Sequence, residues 1–204
     1  MSIGYNQMLL SDVVSVLGED RTQEQILSHF SCPHNADVER FLKKSAIPFS
    51  KQSIAATHLV FTSYKGENVL TGYYTCANKY INIPRNVLSS RMRQRIKKFG
   101  SYDSDLKVYS VSAPLLAQIS KNFTNGYNKL ITGDELLTMA LDKVEQAQML
   151  IGGKIVYLEC EDKPFLIDFY SRHGFVEFGK RTLEGDERKE MGEYLVQMLR
   201  YRND

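Results

Sequence analysis

Tyr170 is a candidate proton donor in this sequence. It lies in Phe165-Leu-Ile-Asp-Phe-Tyr-Ser-Arg-His-Gly-Phe-Val-Glu-Phe-Gly179. Leu166, Phe169 and Tyr170 recur at i, i+3 and i+4, the spacing of one helix face. Gly174 suits the left-handed residue that ends a helix. Phe175, Val176 and Phe178 are strand-type residues and follow at once. A tyrosine on the buried side of such a helix can offer its hydroxyl, as an acid, to a ligand between helix and sheet. The other reading is a packed aromatic with a satisfied hydroxyl.

Thr132, Gly133 and Asp134 mark either a second candidate site or an ordinary helix N-terminus. They open a predicted helix after an Asn/Gly-rich approach, where unpaired N–H groups and the helix dipole favour an anion such as a pyrophosphate. Gly133 permits close approach. Asp134 satisfies the same dipole itself and would repel a phosphate if turned inward.

Glu159 and Glu161 alternate to one face of a predicted strand and flank Cys160. Either carboxylate can deprotonate an ammonium through water, or be solvated or ion-paired. His58, at a strand start, is another base candidate. Cys160 has no neighbouring His or helix N-terminus in sequence to lower its pKa, so it reads as a buried structural thiol. His29, Cys32, His34 and Asp37 crowd metal-capable types into nine positions, without the paired dyads of zinc sites. They read as a loop between helices, and no metal is expected. Arg91, Arg93, Arg95, Lys97 and Lys98 lie within eight residues, opposite Leu88, Met92 and Ile96. They suit a phosphate-rich partner such as RNA, or a solvated face.

The elements that must carry these groups follow from periodicity. Residues 8–30 read as helical, with a capping-box pattern at Thr22 and Gln25. Asp37–Lys44 reads as a short helix. Strands are expected at His58–Tyr64 and Val69–Ala77, joined by Lys65-Gly66-Glu67-Asn68. An extended piece, Tyr80–Ile83, is closed by Pro84, and residues 86–98 form a basic helix. After a Gly/Ser/Asp turn comes a strand over Leu106–Ser120, interrupted by Pro114. A polar loop, Asn122–Lys129, leads to a helix over Thr132–Ile151. Lys154–Cys160 is a strand, and Tyr194–Tyr201 a last one. The strand–helix–strand run through Tyr170 demands a parallel, right-handed crossover. The class is α/β or α+β around one mixed sheet.

Composition excludes several functions. The 204 residues suffice for one large domain, and 43% hydrophobic content is ample for a core. A net charge of +2 gives no global pull toward nucleic acid or membrane. Three widely spaced cysteines form no disulfide framework and suit a reducing compartment. No secretory signal or membrane-length apolar run is evident, so a cytoplasmic protein without membrane contact is expected.

Together these pieces resemble the GNAT-type N-acetyltransferases. Pro114-Leu-Leu-Ala-Gln-Ile-Ser120 is similar to the family's fourth strand, and Thr132-Gly-Asp-Glu-Leu-Leu-Thr-Met-Ala-Leu141 to its acetyl-CoA pyrophosphate helix. Lys154–Cys160 is similar to its fifth strand, and Phe169-Tyr170 with His173-Gly-Phe175 to its closing signature. The likeness covers about residues 56–201. Phe30-Ser-Cys, Phe41-Leu-Lys-Lys and Gly72-Tyr-Tyr74 further resemble the acetyltransferase toxins of bacterial toxin–antitoxin modules. The chain departs from the family's Q/R-x-x-G-x-G/A loop, since Asn128-Lys-Leu-Ile-Thr-Gly133 matches only at its end. Lys163 stands where the family often has asparagine.

The resemblance implies one GNAT-like domain over 1–204, with a helical part at 1–55 and a sheet core at 56–204 holding acetyl-CoA. The sheet would be mixed, mostly antiparallel and twisted, flanked by helices and splayed between the fourth and fifth strands. Backbone groups near Ile119 and Lys121 would pair with the pantetheine arm, and those of Thr132, Gly133 and Asp134 would hold the pyrophosphate. A primary amine of unnamed identity would attack the thioester directly, with Tyr170 as general acid and Glu159 as the first candidate base. Among the toxin-like members the acceptor is the amine of an aminoacyl-tRNA. A non-catalytic scaffold binding CoA or a partner is the remaining alternative, and a homodimer is compatible with all three.

Overall fold

We describe a computed structural model of the chain, covering residues 4–183 and 193–202. They fall into two compact units, one of residues 1–77 with 117–143 and one of 78–116 with 144–204.

The first unit begins with strand β1 (Tyr5–Leu9), which turns into helices α1 (Leu10–Leu17) and α2 (Glu19–Gln25). The sequence reading had put residues 8–30 in helix, which takes in Met8 and Leu9 of β1. β1 is extended because it pairs antiparallel with strand β2 (Ala56–Tyr64), a long-range partner that local periodicity does not reveal. Thr22 caps nothing. It sits buried inside α2, and its hydroxyl donates back to the Gly18 carbonyl at 2.7 Å.

Helix α3 (Ala36–Arg40) starts at Asn35, whose side chain accepts from the Asp37 and Val38 N–H groups. The chain continues helically through Phe41–Ser45, with a wider turn, into helix α4 (Ala46–Lys51). This is longer than the Asp37–Lys44 expectation, because Ala46 and Ile47 extend the apolar face into the core.

β2 pairs antiparallel with strand β3 (Glu67–Pro84), and the turn is only Lys65-Gly66, both with positive φ. Glu67 and Asn68, expected in the loop, are already paired with Tyr64 and Ser63. β3 runs unbroken to Pro84 and absorbs the extended piece at Tyr80–Ile83. Leu10, Leu27, Phe30, Leu42, Leu59, Phe61 and Tyr73 form this unit's core.

The second unit contains the far end of β3 and the short helix α5 (Ser90–Ile96), capped by Ser89. Strand β4 (Gly100–Asp103) pairs antiparallel with β5 (Val108–Lys121), whose last residues belong to the first unit. β4 was expected to be a turn. A Cβ on Gly100 would lie 2.2 Å from the Ser110 carbonyl oxygen, so the glycine there permits a close strand contact. Pro114 does not interrupt β5.

Helix α6 (Gly133–Ile151) leads to strand β6 (Ile155–Glu161), helix α7 (Pro164–Arg172), strand β7 (Val176–Thr182) and strand β8 (Tyr194–Tyr201). β5 and β6 are parallel, and β8 lies antiparallel between β6 and β7. β6 and β7 therefore run the same way, as a crossover through α7 requires. The sheet is mixed and mainly antiparallel, as expected. Ile83, Leu88, Ile96, Val111, Tyr157, Phe178 and Leu199 form the second core.

Candidate functional site

The β5–β6 ladder is two residue pairs long, Leu115 with Tyr157 and Leu116 with Leu158. On β6 the next residues, Glu159, Cys160 and Glu161, are paired with β8 alone. A sheet interior that stops pairing this early leaves backbone donors and acceptors available to an extended ligand. Tyr170 and Glu159 both lie in this second unit.

Tyr170 is 7% exposed. Pro164 opens α7 at a position that needs no N–H. Past Arg172, Gly174 takes φ +82°, and the Phe175 N–H returns to the Tyr170 carbonyl at 3.1 Å. That closure stacks Tyr170 edge-on between Phe169 (5.1 Å) and Phe175 (5.9 Å). Burial, then the nearby Cys160 sulfur, pushes the phenol well above its usual value. The group is protonated throughout the physiological range, ready to donate.

Cys160 is buried, and its thiol is pushed up to about 11, first by burial and then by Asp162, Glu161 and Glu177. It stays protonated at neutral pH and is a poor nucleophile, in keeping with the structural reading.

Glu159 alternates to the other face of β6 from Cys160. There it lines a cavity of about 600 Å³ with Lys79, Tyr80, Leu115, Tyr157, Arg181 and Gln197. Its carboxylate accepts from Arg181 Nε at 2.6 Å and from Gln197 Nε2 at 2.8 Å. The ligand-facing wall of this cavity thus carries an anion already oriented by two donors. Sequence had offered both Glu159 and Glu161 as base candidates, with Glu159 first. Glu161 instead pairs with Lys163 Nζ at 2.8 Å.

In the first unit, β5 ends at Ile119, Ser120 and Lys121, all half-buried. Gly72 of β3 faces this end, where a Cβ would meet the Ser120 carbonyl at 2.9 Å and Leu136 at 3.2 Å. Asn122 then fixes the chain. Its Nδ2 donates to the Leu70 carbonyl, and its Oδ1 accepts from the Ser31 and Thr124 N–H groups. The loop turns through Asn125 and Gly126, at φ 52° and 75°.

At the start of α6, Thr132 and Glu135 form a capping box. The Thr132 N–H and hydroxyl both donate to Glu135 Oε2 at 2.8 Å, and the Glu135 N–H returns to Thr132 Oγ1 at 3.1 Å. The Thr132 N–H, expected to face a pyrophosphate, is therefore already engaged. Gly133 and Asp134 supply the first-turn N–H groups that follow it. Hydrogen bonds from Thr132 and Tyr5 hold the Glu135 carboxyl below its usual range. Nothing in the sequence pairing of Thr132 with Asp134 had singled out Glu135. The Thr-x-x-Glu spacing was the available signal.

His58 stacks on Tyr74 at 4.9 Å, and its Nδ1 is buried without a partner. Burial lowers its pKa, which does not suit a proton relay from solvent. The metal-capable quartet is dispersed. Asp37 binds Arg40 and Gln118, and His34 packs edge-on against Phe123. Among the described residues no group of three His, Cys, Asp or Glu is arranged to hold a metal ion.

The basic helix is shorter than expected and its cations differ. Arg95 covers the Tyr201 ring at 4.7 Å, and Arg93 donates to Ser90. Arg91, Lys97 and Lys98 are exposed. Among the described residues no helix is long and apolar enough to cross a membrane.

No protein-family model and no curated protein sequence matches the chain. Solved structures do. AtaT complexed with acetyl-methionyl-tRNAfMet is similar at 16% identity and TM-score 0.61, over 95% of this chain and 94% of that one. A Tyr→Phe mutant of KacT is similar at 15% identity and TM-score 0.60, over 94% and 93%. AtaTR bound with AcCoA follows at 15% identity and TM-score 0.53, over 94% and 91%. At such identities the likeness establishes architecture. The chain has the GNAT-type fold, in the form found in the AtaT and KacT toxin structures.

Proposed function

We propose that this protein is an acetyl-CoA-dependent N-acetyltransferase in which Tyr170 is the general acid. The observation that carries the reading is the buried, protonated Tyr170, set in its aromatic nest beside a β5–β6 ladder that ends after two pairs. The AtaTR structure bound with AcCoA supports the co-substrate.

The pantetheine arm pairs with backbone groups near Ile119 and Lys121, and the pyrophosphate takes the N–H groups of Gly133 and Asp134. Glu135 is turned back onto Thr132, which leaves the glycine end of the helix open to an anion. The acceptor amine enters the cavity and loses its proton, through water, to Glu159. The neutral nitrogen attacks the thioester carbonyl carbon. The N–C bond forms, the C–S bond breaks, and the sulfur takes the proton that Tyr170 donates, while the proton the attacking nitrogen sheds on becoming an amide returns Tyr170 to its neutral form through water.

Full transfer from so weak an acid to a thiolate is uphill, so Tyr170 acts as the charge develops on sulfur, not after it. Acid and base work from opposite faces of β6, which keeps the two proton transfers apart. The test is calorimetric binding of acetyl-CoA with a thiol-release assay. No binding at millimolar acetyl-CoA sinks the proposal, and binding without turnover on any amine leaves the non-catalytic scaffold.

A second reading names an RNA-borne acceptor, such as aminoacyl-tRNA. Residues 78–107 carry eight Lys and Arg against Asp103 and Asp105, although the whole chain has a net charge of only +2. Charge segregated in this way favours a phosphate backbone. AtaT, in its acetyl-methionyl-tRNAfMet complex, gives the precedent. Expression would arrest growth, Tyr170→Phe would relieve it, and changing Arg91, Arg93 and Arg95 to Ala would abolish RNA binding. A small-molecule acetylator would be indifferent to that triple change.

A further inference from the structure

We propose that Tyr5 is a positioning residue for the acetyl-CoA pyrophosphate, acting from the first strand on the loop that opens α6. The inference rests on the reading that Gly133 and Asp134 receive that pyrophosphate. Tyr5 Oη donates to the Leu130 carbonyl at 2.9 Å, across 125 residues of sequence. The same phenol lies against Glu135, the carboxylate that closes the capping box on Thr132. One side chain from β1 therefore bonds the flank before the Ile131-Thr132-Gly133 turn and interacts electrostatically with the carboxylate on the flank after it.

The remainder of the loop is held differently. Asn122 ties its start to Leu70, Ser31 and Thr124, and the Phe123 N–H donates to the Ser31 carbonyl at 2.8 Å. Tyr127 meets Tyr64 edge-on, with ring centroids 6.1 Å apart. Between Asn125 and Gly126 the backbone is left-handed, a point where the loop can pivot. Beyond that pivot the Tyr5 hydroxyl supplies the long-range hydrogen bond to the Leu130 peptide.

The consequence is directional. A peptide unit is planar, so fixing the Leu130 carbonyl also fixes the opposed Ile131 N–H. Ile131 is 2% exposed and anchors the next residue in the core. With Leu130 and Ile131 set, the helix begins at a defined angle, and Gly133 and Asp134 present their N–H groups along one line. Tyr5 touches no reacting atom. Burial, then the Glu135 hydrogen bond and charge, raises its pKa to about 12, so the hydroxyl remains a donor at any pH at which the enzyme would work.

Tyr5→Phe keeps the ring and removes the donor. Calorimetry with acetyl-CoA should show Kd raised about fivefold to tenfold, the range a lost hydrogen bond implies. Acetyl-pantetheine, which lacks the pyrophosphate, should bind as it does to the wild type. The kcat at saturating acetyl-CoA should stay within about twofold. Amide hydrogen exchange over residues 128–133 should quicken, with exchange in β2 and β3 unchanged.

Equal weakening toward both ligands, or no change toward either, overturns the role of Tyr5 while leaving the acetyltransferase reading intact. A wild-type protein that binds no acetyl-CoA overturns both. A loss of exchange protection throughout the first unit would make Tyr5 a general structural residue and overturn the proposal as well.

Discussion

The loop before α6 and the α7–β7 corner are both short segments with a glycine at positive φ, Gly126 and Gly174, yet they are held by different forces. The loop before α6 is fixed by directional hydrogen bonds, from Asn122, Thr132, Glu135 and Tyr5. The α7–β7 corner is fixed by aromatic area, with Phe169, Tyr170 and Phe175 in edge contact and Phe175 1% exposed. Hydrogen bonds set angles, so the first region suits a ligand that must meet several N–H groups at once. Packing sets position and excludes water, so the second suits a proton donor that must stay protonated. For holding the local structure, loss of a single polar atom should matter most in the first region and loss of volume in the second.

The largest effect expected from that contrast is on turnover. Tyr170→Phe removes one oxygen from the packed corner and almost no volume. It should lower kcat about 10²-fold, within the range of general acid–base help, with little change in thermal midpoint or acetyl-CoA affinity. Steady-state thiol release and a thermal melt check both, and unchanged turnover removes the acid role.

Phe175→Ala tests the same corner by volume. Emptying a fully buried phenylalanine should cost about 3–5 kcal/mol in denaturant unfolding. A loss under about 1 kcal/mol would mean that packing does not hold this corner.

Glu159→Gln should lower kcat/KM for the amine about tenfold and leave acetyl-CoA binding unchanged, because the neutral amide cannot take the proton. Amine saturation curves at fixed acetyl-CoA measure this, and an unaffected curve would make the cavity carboxylate purely structural.

Replacing Thr132 by Ala should cost about 1 kcal/mol, the usual loss for a cap residue. The loop also has a pH signature. Glu135 has a folded pKa below its ordinary value of 4.5, so its contribution is complete above pH 4.5. It is lost as pH falls through the lower, folded value. Protection of the Thr132 amide, its exchange rate relative to that of an unstructured chain at the same pH, should therefore fall below about pH 4.5 and stay flat above it. A loss of protection beginning near neutral pH would contradict the capping box.

The parts of this arrangement that were legible in the sequence are those built from near neighbours. The helix face through Leu166, Phe169 and Tyr170, its stop at Gly174, and the helix opening at Gly133 all depend on contacts within a few residues. The parts that were not legible depend on partners far along the chain. Met8 and Leu9, the end of β1, looked helical because their pairing with β2 lies about fifty residues away. β4 looked like a turn because its glycine answers to Ser110. The different surroundings of Glu159 and Glu161 were not legible, since the placement of Arg181 and Gln197 makes one a cavity carboxylate and the other is paired with Lys163.

The sequence by itself determined the element types of the second half, the chemistry offered by Tyr170, and the absence of a disulfide framework. Each follows from residue type and short-range periodicity, which survive in any context. Only the tertiary structure decided how deeply Tyr170 and Cys160 are buried, that Glu159 meets Arg181 and Gln197, and that Tyr5 reaches Leu130. Those properties belong to the environment of a group. Desolvation and hydrogen bonding across more than a hundred residues exist only once the chain has brought distant segments into contact.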